Sequence, residues 1–578
     1  MRLFPTTLRV PLALLGDSRR MVNSSFQVHN RNMFAATTAK NHVQLSMQAA
    51  AGTNIIHLNH AGASPSPASV LDTVMQHLQL EQTMGGYTAA EMVTDQLDNV
   101  YQQVAQLLHL PLQLSNHLTT STALPRPQQH DDDTSSYYNP RHEIALVESA
   151  TVAWTRLFYS MAQYQHHNHK QRQRHGGGTG PLVILVSEAE YAANVVAACQ
   201  WAKNHPNDWT VLAIPSSRTS NGYSTGCVDV AVLEQMLQGT YHYRTNNNNN
   251  NNTDATVVAL DPANIAMVCI THIPTNSGIV NDVETIGRLI AKHNNNTNNY
   301  NNNNHLDPDS DVPSCLYLID ACQSAGQRDL DIAQLLCHGL VATGRKFLKG
   351  PRGTGFLYVP KTLADQLMPH HMDHFGVPVV RVPSSFSAAT TADAATTTAK
   401  NNNNNNLAGP IESLLEIRPR SGASRFEFYE SNVANKLGLG EAIRHAREDI
   451  GMNRVQSTIL ALAQEMQRRL EKLHSKMIHL HHVSECGIVT FHVANIPSQT
   501  IKDMLWQGGD HNDDTVVNNN NNKNIKFETS LVPATSTPLD SAQTSVPDLV
   551  RVSLSYTNTV EDIEAFCVRL ESILDDLE

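Results

Sequence analysis

The chain has no Cys-x-x-Cys pair among its eight cysteines, which fall at positions 199, 227, 269, 315, 322, 337, 486 and 567. That spread speaks against a zinc site or a disulfide framework and suits buried free thiols in a reduced compartment. There is no run of 18 apolar residues, so no membrane span is expected. Nor is there an excess of positive charge. The net charge of −12 argues against nucleic acid or an anionic membrane as a partner. What is present is 40% hydrophobic content over 578 residues, enough for a large core and for more than one domain.

Residues 1–40 read differently from the rest. They carry Arg2, Arg9, Arg19, Arg20 and Arg31 against the single acid Asp17, in a background of Ser, Thr and Ala. Such a composition fits a transit peptide to the mitochondrion or another organelle; a disordered tail on a cytoplasmic protein is the alternative. Asparagine runs at 246–252, 294–304, 401–406 and 518–522 cannot bury apolar surface and read as insertions within loops. The stretch 163–180, with His166, His167 and His169, is expected to belong with them, without an ordered element and without metal. The "GGGTG" at its end reads as a linker, because no lysine closes a phosphate loop.

Without these insertions the chain alternates apolar strands with helices. "EIALVES", "PLVILVSEAEY", "IAMVCITHIPT" and "CLYLIDACQ" are strands, each followed by a helical segment. Nearly continuous apolar strands between helices imply a parallel sheet covered on both faces. Ligands of such sheets bind at the carboxyl ends of the strands. There stand Ser149, Ala150 and Thr151 opening a helix, Tyr191, the turn pair Thr275 and Asn276, Asp320 with Gln323, and finally Thr343, Arg345 and Lys346. A helix N-terminus is a seat for phosphate. A carboxylate can hold a protonated ring nitrogen, or merely cap a helix. Lys346 and Lys349 lie on a tight turn before "GPRGTGFLYV" and could both be solvated. Taken together, a lysine, an acid, an aromatic ring and a phosphate cradle at successive strand ends describe a pyridoxal 5′-phosphate site.

The segment "YLIDACQSAGQRDLDIAQL…GLVATGRKFLKGPRGTGFLYV" resembles the signature of the class V aminotransferase family, the branch with cysteine desulfurases, selenocysteine lyases and isopenicillin N epimerase-like proteins. "IIHLNHAGASPSP", "RFEFYESNVANKLGLGEAI" and "LVRVSLSYTNTVEDIEAF" extend the likeness. The resemblance implies the α/β pyridoxal-phosphate fold type I: a large domain with a mainly parallel seven-stranded sheet over 51–450 and a smaller α/β domain over 451–578. A long helix through "GLGEAIRHAREDIGMNRVQSTILALAQEMQRRLEKLH" would bridge them. It implies Lys346 as the residue binding the cofactor aldehyde, Asp320 on the pyridinium nitrogen, Gln323 on the ring hydroxyl, Tyr191 stacked on the ring, and Asn276 at the cofactor. Ala150, Thr151, Thr343 and Arg345 would hold the phosphate, Arg345 standing where many relatives have histidine. Arg551 would take the substrate carboxylate, and Asn59 and His60 would line the entrance. Lys349 is expected at the surface or beside the phosphate. A homodimer is implied.

Two departures shape the expected chemistry. Desulfurases carry a nucleophilic cysteine shortly before the carboxylate-binding arginine, and residues 487–551 contain none. Glu430 stands where they have a threonine that reaches phosphate across the dimer. A substrate bearing its own leaving group needs no enzyme thiolate. The sequence therefore points to a carbon–sulfur β-lyase acting on an S-substituted cysteine or its sulfoxide. The alternatives are a desulfurase or selenocysteine lyase, an epimerase or aminotransferase, and a catalytically silent scaffold. Cys322 and Cys486 read as inert packing.

Overall fold

The structure, a computed structural model, describes residues 54–111, 138–174, 180–218, 224–245, 256–302, 313–377, 379–381, 416–473, 477–508, 525–544 and 547–577. The proposed transit peptide and the asparagine runs at 246–252, 401–406 and 518–522 lie outside them. The chain forms two compact units, Met1–Ile56 with Trp506–Phe527, and His57–Leu505 with Glu528–Glu578. In the first, the described residues are mainly the paired strands around 54–56 and 525–527. Everything below concerns the second.

Its elements begin with α1 (Ala68–Met84). The central sheet follows: β1 (Ile144–Val147), α2 (Ala150–Arg174), β2 (Leu182–Ser187), α3 (Ala192–Asn204), β3 (Trp209–Ile214), β4 (Ile265–Thr271), α4 (Val283–Asn302), β5 (Leu316–Asp320), β6 (Gly339–Thr343) and β7 (Gly355–Tyr358). Its strand order is β1-β7-β6-β5-β4-β2-β3. The pairs β3·β2, β2·β4, β4·β5 and β5·β6 are parallel, and β7 runs antiparallel to both β6 and β1. Every residue of β1, β2, β4, β5, β6 and β7 is buried. This is why they read as unbroken apolar runs: helices cover both faces. One layer of side chains packs against Trp154, Phe158 and Trp201 of α2 and α3, the other against α4 and the helix Thr94–Leu107.

Beyond the sheet come α5 (Val433–Arg444) and α6 (Met452–Lys472), then β8 (Ile478–Leu480), β9 (Ile488–Val493), β10 (Ser530–Val532), β11 (Leu549–Ser553) and α7 (Val560–Leu577). These strands form an antiparallel sheet in the order β8-β9-β11-β10. A cluster of Ala61, Ile273, Phe347, Val455, Ile459, Cys486 and Ile488 fastens the Lys346 turn to α6 and β9.

Three expectations are corrected here. The histidine-rich stretch is not an unordered insertion through 174, because α2 continues across it. His169 is buried, and His166 accepts a hydrogen bond from the Trp209 indole at 3.0 Å. Likewise α4 continues to Asn302, with Asn294 buried and bonded through both amide atoms to Cys315. The long bridging helix is interrupted: α5 runs into a wider turn over His445–Ile450, and Gly451 at φ +89° restarts the chain as α6. No described helix is long and apolar enough to cross a membrane.

Candidate active site

The parallel strands β1, β2, β4, β5 and β6 all point their carboxyl ends to one edge of the sheet. The residues just beyond enclose a pocket with about 590 Å³ of empty space including its open mouth. Its wall consists of Ser149, Ala150, Thr151, Tyr191, Asn194, Thr271, Ile273, Thr275, Asp320, Cys322, Gln323, Thr343, Arg345 and Lys346.

At one end α2 begins. Ser149 caps it, its hydroxyl accepting from Val152 N–H at 3.2 Å and its carbonyl from Ala153 N–H. The N–H groups of Ala150 and Thr151 are left without intrahelical acceptors, as the first turn of any helix requires. Gly355 on β7 lets that turn approach: a Cβ there would stand 2.9 Å from the Ser149 carbonyl carbon. Arg345 flanks the same region, its guanidinium donating to the Gly62 carbonyl. Thr343 is committed to the Thr354 carbonyl at 3.3 Å.

At the other end Asp320, buried at 5% exposure, closes β5. Its two oxygens are held from opposite sides, Oδ1 by the Cys322 N–H at 2.9 Å and Oδ2 by the Asn194 amide at 3.0 Å. Between the two ends lies Lys346. Burial lowers the proton affinity of its amine, opposed by Cys322 and Asp320. Tyr191 stands at the mouth, 41% exposed, its N–H bonded to Thr271. Gln323 donates to the Ala61 carbonyl and to the Thr275 hydroxyl, both at 3.2 Å, while its buried Oε1 has no donor.

Arg551 on β11 is not on the wall. It sits behind Thr275, bonded to that hydroxyl and to Ser530 Oγ at 3.0 Å. No carboxylate pairs with it among the described residues, and burial with the nearby Arg345 lowers its pKa to about 10. An unpaired buried guanidinium is a costly arrangement unless an anion completes it.

Other residues expected at the site lie elsewhere. Asn276 points away from the pocket, its amide bonded to Thr537 at 2.9 Å and its carbonyl to Thr490; its neighbour Thr275 takes the wall position. Asn59 pairs with Glu528 at 3.2 Å and His60 is 2% exposed, so neither lines the pocket. Lys349 is not at the surface: it is 2% exposed, with its amine 3.3 Å from His60 Nδ1 and 3.2 Å from the Thr557 hydroxyl. Its backbone φ of +59° turns the side chain away from the course set by Lys346.

Asn194, Thr271 and Ile273 were not singled out from sequence. Asn194 falls one helical turn after Glu190, but its nearness to Asp320 arises only from the adjacency of β2, β4 and β5. Cys322 lines the pocket with its thiol pushed well up by burial and by Asp320. Among the described residues no group of three or more His, Cys, Asp or Glu side chains could hold a metal.

Pyridoxal phosphate fits this donor set. Two cations, Arg345 and Lys346, and a helix N-terminus share the wall with one carboxylate, and Arg551 stands behind Thr275, which calls for anionic groups. The orphaned Gln323 Oε1 matches a ring hydroxyl, and Asp320 a protonated ring nitrogen.

The aminotransferase class-V family model matches residues 310–396 and 416–566. A probable cysteine desulfurase of Borreliella burgdorferi is 22% identical over 312 residues, 54% of this chain and 58% of that protein. One from Methanothermobacter thermautotrophicus is 24% identical over 53% of this chain and 60% of its own length. The chain thus spans less than two thirds of these relatives. Among solved structures, an apo cysteine desulfurase from Thermococcus onnurineus superposes with a TM-score of 0.59 at 14% identity, covering 90% of this chain and 95% of that one. A cystine C–S lyase in complex with its product, cysteine persulfide, gives 0.56 at 14% identity, covering 89% and 97%. Both show a shared fold. The two stretches that the aminotransferase class-V model matches carry Asp320, Lys346 and Arg551, and it is in them that this chain is similar to that family.

Proposed function

We propose that this chain is a pyridoxal-phosphate-dependent enzyme acting on an amino acid, and that it cleaves a carbon–sulfur bond of an S-substituted cysteine or its sulfoxide. The observation that carries the first half is the meeting of Lys346, Asp320 and the open amides of Ala150 and Thr151 in one pocket. Pyridoxal phosphate, when bound, supplies an electron sink for cleavage beside the substrate amino group. Asp320, pinned by Asn194 and the Cys322 N–H, keeps the ring nitrogen protonated. The Lys346 amine, weakened as an ammonium by burial, removes the proton from Cα. Arg551 takes the carboxylate through two parallel hydrogen bonds, a geometry that lysine cannot reproduce.

The second half rests on the thiols. A persulfide mechanism needs an exposed thiolate. Cys486 is 3% exposed, bonded to the Gly278 carbonyl, and pushed up to about 12. Cys322 is likewise held neutral, and residues 487–551 contain no cysteine. With no free thiolate on the pocket wall to accept sulfur, the leaving group departs with the substrate's own sulfur, and pyruvate and ammonia follow. The purified protein should release both from a cysteine S-oxide and leave every cysteine free of persulfide by mass spectrometry. Rapid sulfide release from free cysteine, with persulfide on Cys322 or Cys486, would instead make it a desulfurase.

A homodimer belongs to the same proposal. Leu71, Met75 and Leu78 form an exposed stripe at helical spacing on α1. Tyr87 and Tyr429, ring centroids 6.1 Å apart, are exposed as well. An exposed apolar stripe of this kind is what a second copy of the chain would cover.

A further inference from the structure

A second carboxyl group is buried behind Asp320. Glu190, fully buried, follows β2, and one side-chain amide joins it to Asp320. Asn194 Nδ2 donates to Glu190 Oε1 at 2.8 Å and to Asp320 Oδ2 at 3.0 Å, so both hydrogens of a single NH₂ group are spent on the two acids. Rotating that amide would lose both bonds and turn its carbonyl toward two carboxylates. Glu190 also accepts from Ser187 Oγ at 2.7 Å, from Thr271 N–H at 2.8 Å and from the Thr271 hydroxyl. Four donors thus saturate it as an anion. The titratable groups that face it are Asp320, Cys269 and Tyr317, none of them a cation.

We propose that Glu190 is a positioning residue for Asp320: through the shared Asn194 amide it fixes the orientation of the Asp320 carboxylate, and its charge deepens the negative potential that holds a protonated ring nitrogen. This rests on reading Asp320 as the partner of that nitrogen. Burial raises the Glu190 carboxyl to about 7. Above that pH Glu190 is ionised and the potential is strongest. Below it Glu190 takes a proton, the Thr271 hydroxyl must turn from donor to acceptor, and the second charge is lost.

The test is a titration of apo protein with pyridoxal 5′-phosphate from pH 6 to 8.5, followed by protein fluorescence. The cofactor's own phosphate titrates in every protein, so the readout is the ratio of dissociation constants, variant over wild type. Glu190→Gln should bind about tenfold more weakly at pH 8.5, the weight of one interaction with a charged group. That ratio should fall toward one at pH 6. A ratio that stays constant with pH would mean lost packing only, and would overturn the proposal. Asp320→Asn separates the two layers. If it binds as wild type does, the reading of Asp320 fails; if it binds weakly while the Glu190→Gln ratio is flat, only the role of Glu190 fails. In the double variant the Glu190 effect should shrink, since its orienting part acts through Asp320; an undiminished effect would contradict the positioning role. Infrared spectroscopy of the unsubstituted protein needs no variant. At pH 6 a protonated-carboxyl band should disappear on cofactor loading, and a band indifferent to the cofactor would contradict the link.

Discussion

Lys349 is the residue whose structural position departs most from its reading in sequence. A lysine three places after Lys346 on a hairpin turn reads as solvated, because nothing local tells which way the chain turns next. The left-handed backbone at Lys349 decides it, sending the amine under His60, Tyr556 and Thr557. With no carboxylate beside it, burial lowers its pKa to about 7. In the unfolded chain the amine ionises near about 10.4. Between these two values the unfolded chain holds the extra proton, so stability rises with pH across that window and the cost is complete below pH 7. Lys349→Met should therefore stabilise the protein at pH 7, by on the order of 2 kcal/mol. The difference should shrink toward zero as pH approaches 10 in chemical denaturation. An equal difference at both pH values would show that the amine is not the cause. Lys346 and Asp320, by contrast, were legible because Asp320 ends an apolar strand and Lys346 comes three residues after another. Glu190 and Asn194 were not, since only the β2-β4-β5 adjacency brings them to Asp320.

At the scale of elements, the strands were readable because burial on both faces removes polar residues from them. The helix ends were not. Gln, Arg and Lys are good helix formers, so α2 propagates through a stretch whose composition resembles a linker. The turn after β5 shows how closely two elements meet at the site. Gly326 has φ +91°, and a Cβ on it would stand 2.4 Å from the Leu348 nitrogen and 2.5 Å from the Phe347 carbonyl carbon, within the Lys346 turn. Neither the backbone angle nor the space accepts a side chain. Gly326→Ala should cost on the order of 3 kcal/mol and lower cofactor content, because the turn that yields is the one carrying Lys346. Calorimetry and the cofactor-to-protein absorbance ratio check it; unaltered values for both would mean that the two turns are not in contact.

For the whole molecule, the exposed stripe of α1 and Tyr87 makes assembly measurable. Sedimentation at assay concentration should give a dimer, and Met75→Glu with Leu78→Glu should dissociate it by placing charges in an apolar contact. A fully active monomer would remove the homodimer from the account. The central claim is chemical: one lysine of this pocket bonds to pyridoxal phosphate. Borohydride reduction of the loaded protein, followed by proteolysis and mass spectrometry, reads it directly. The account predicts the phosphopyridoxyl group on Lys346 and on no other lysine; its appearance on Lys349, or no modified peptide at all, would contradict it.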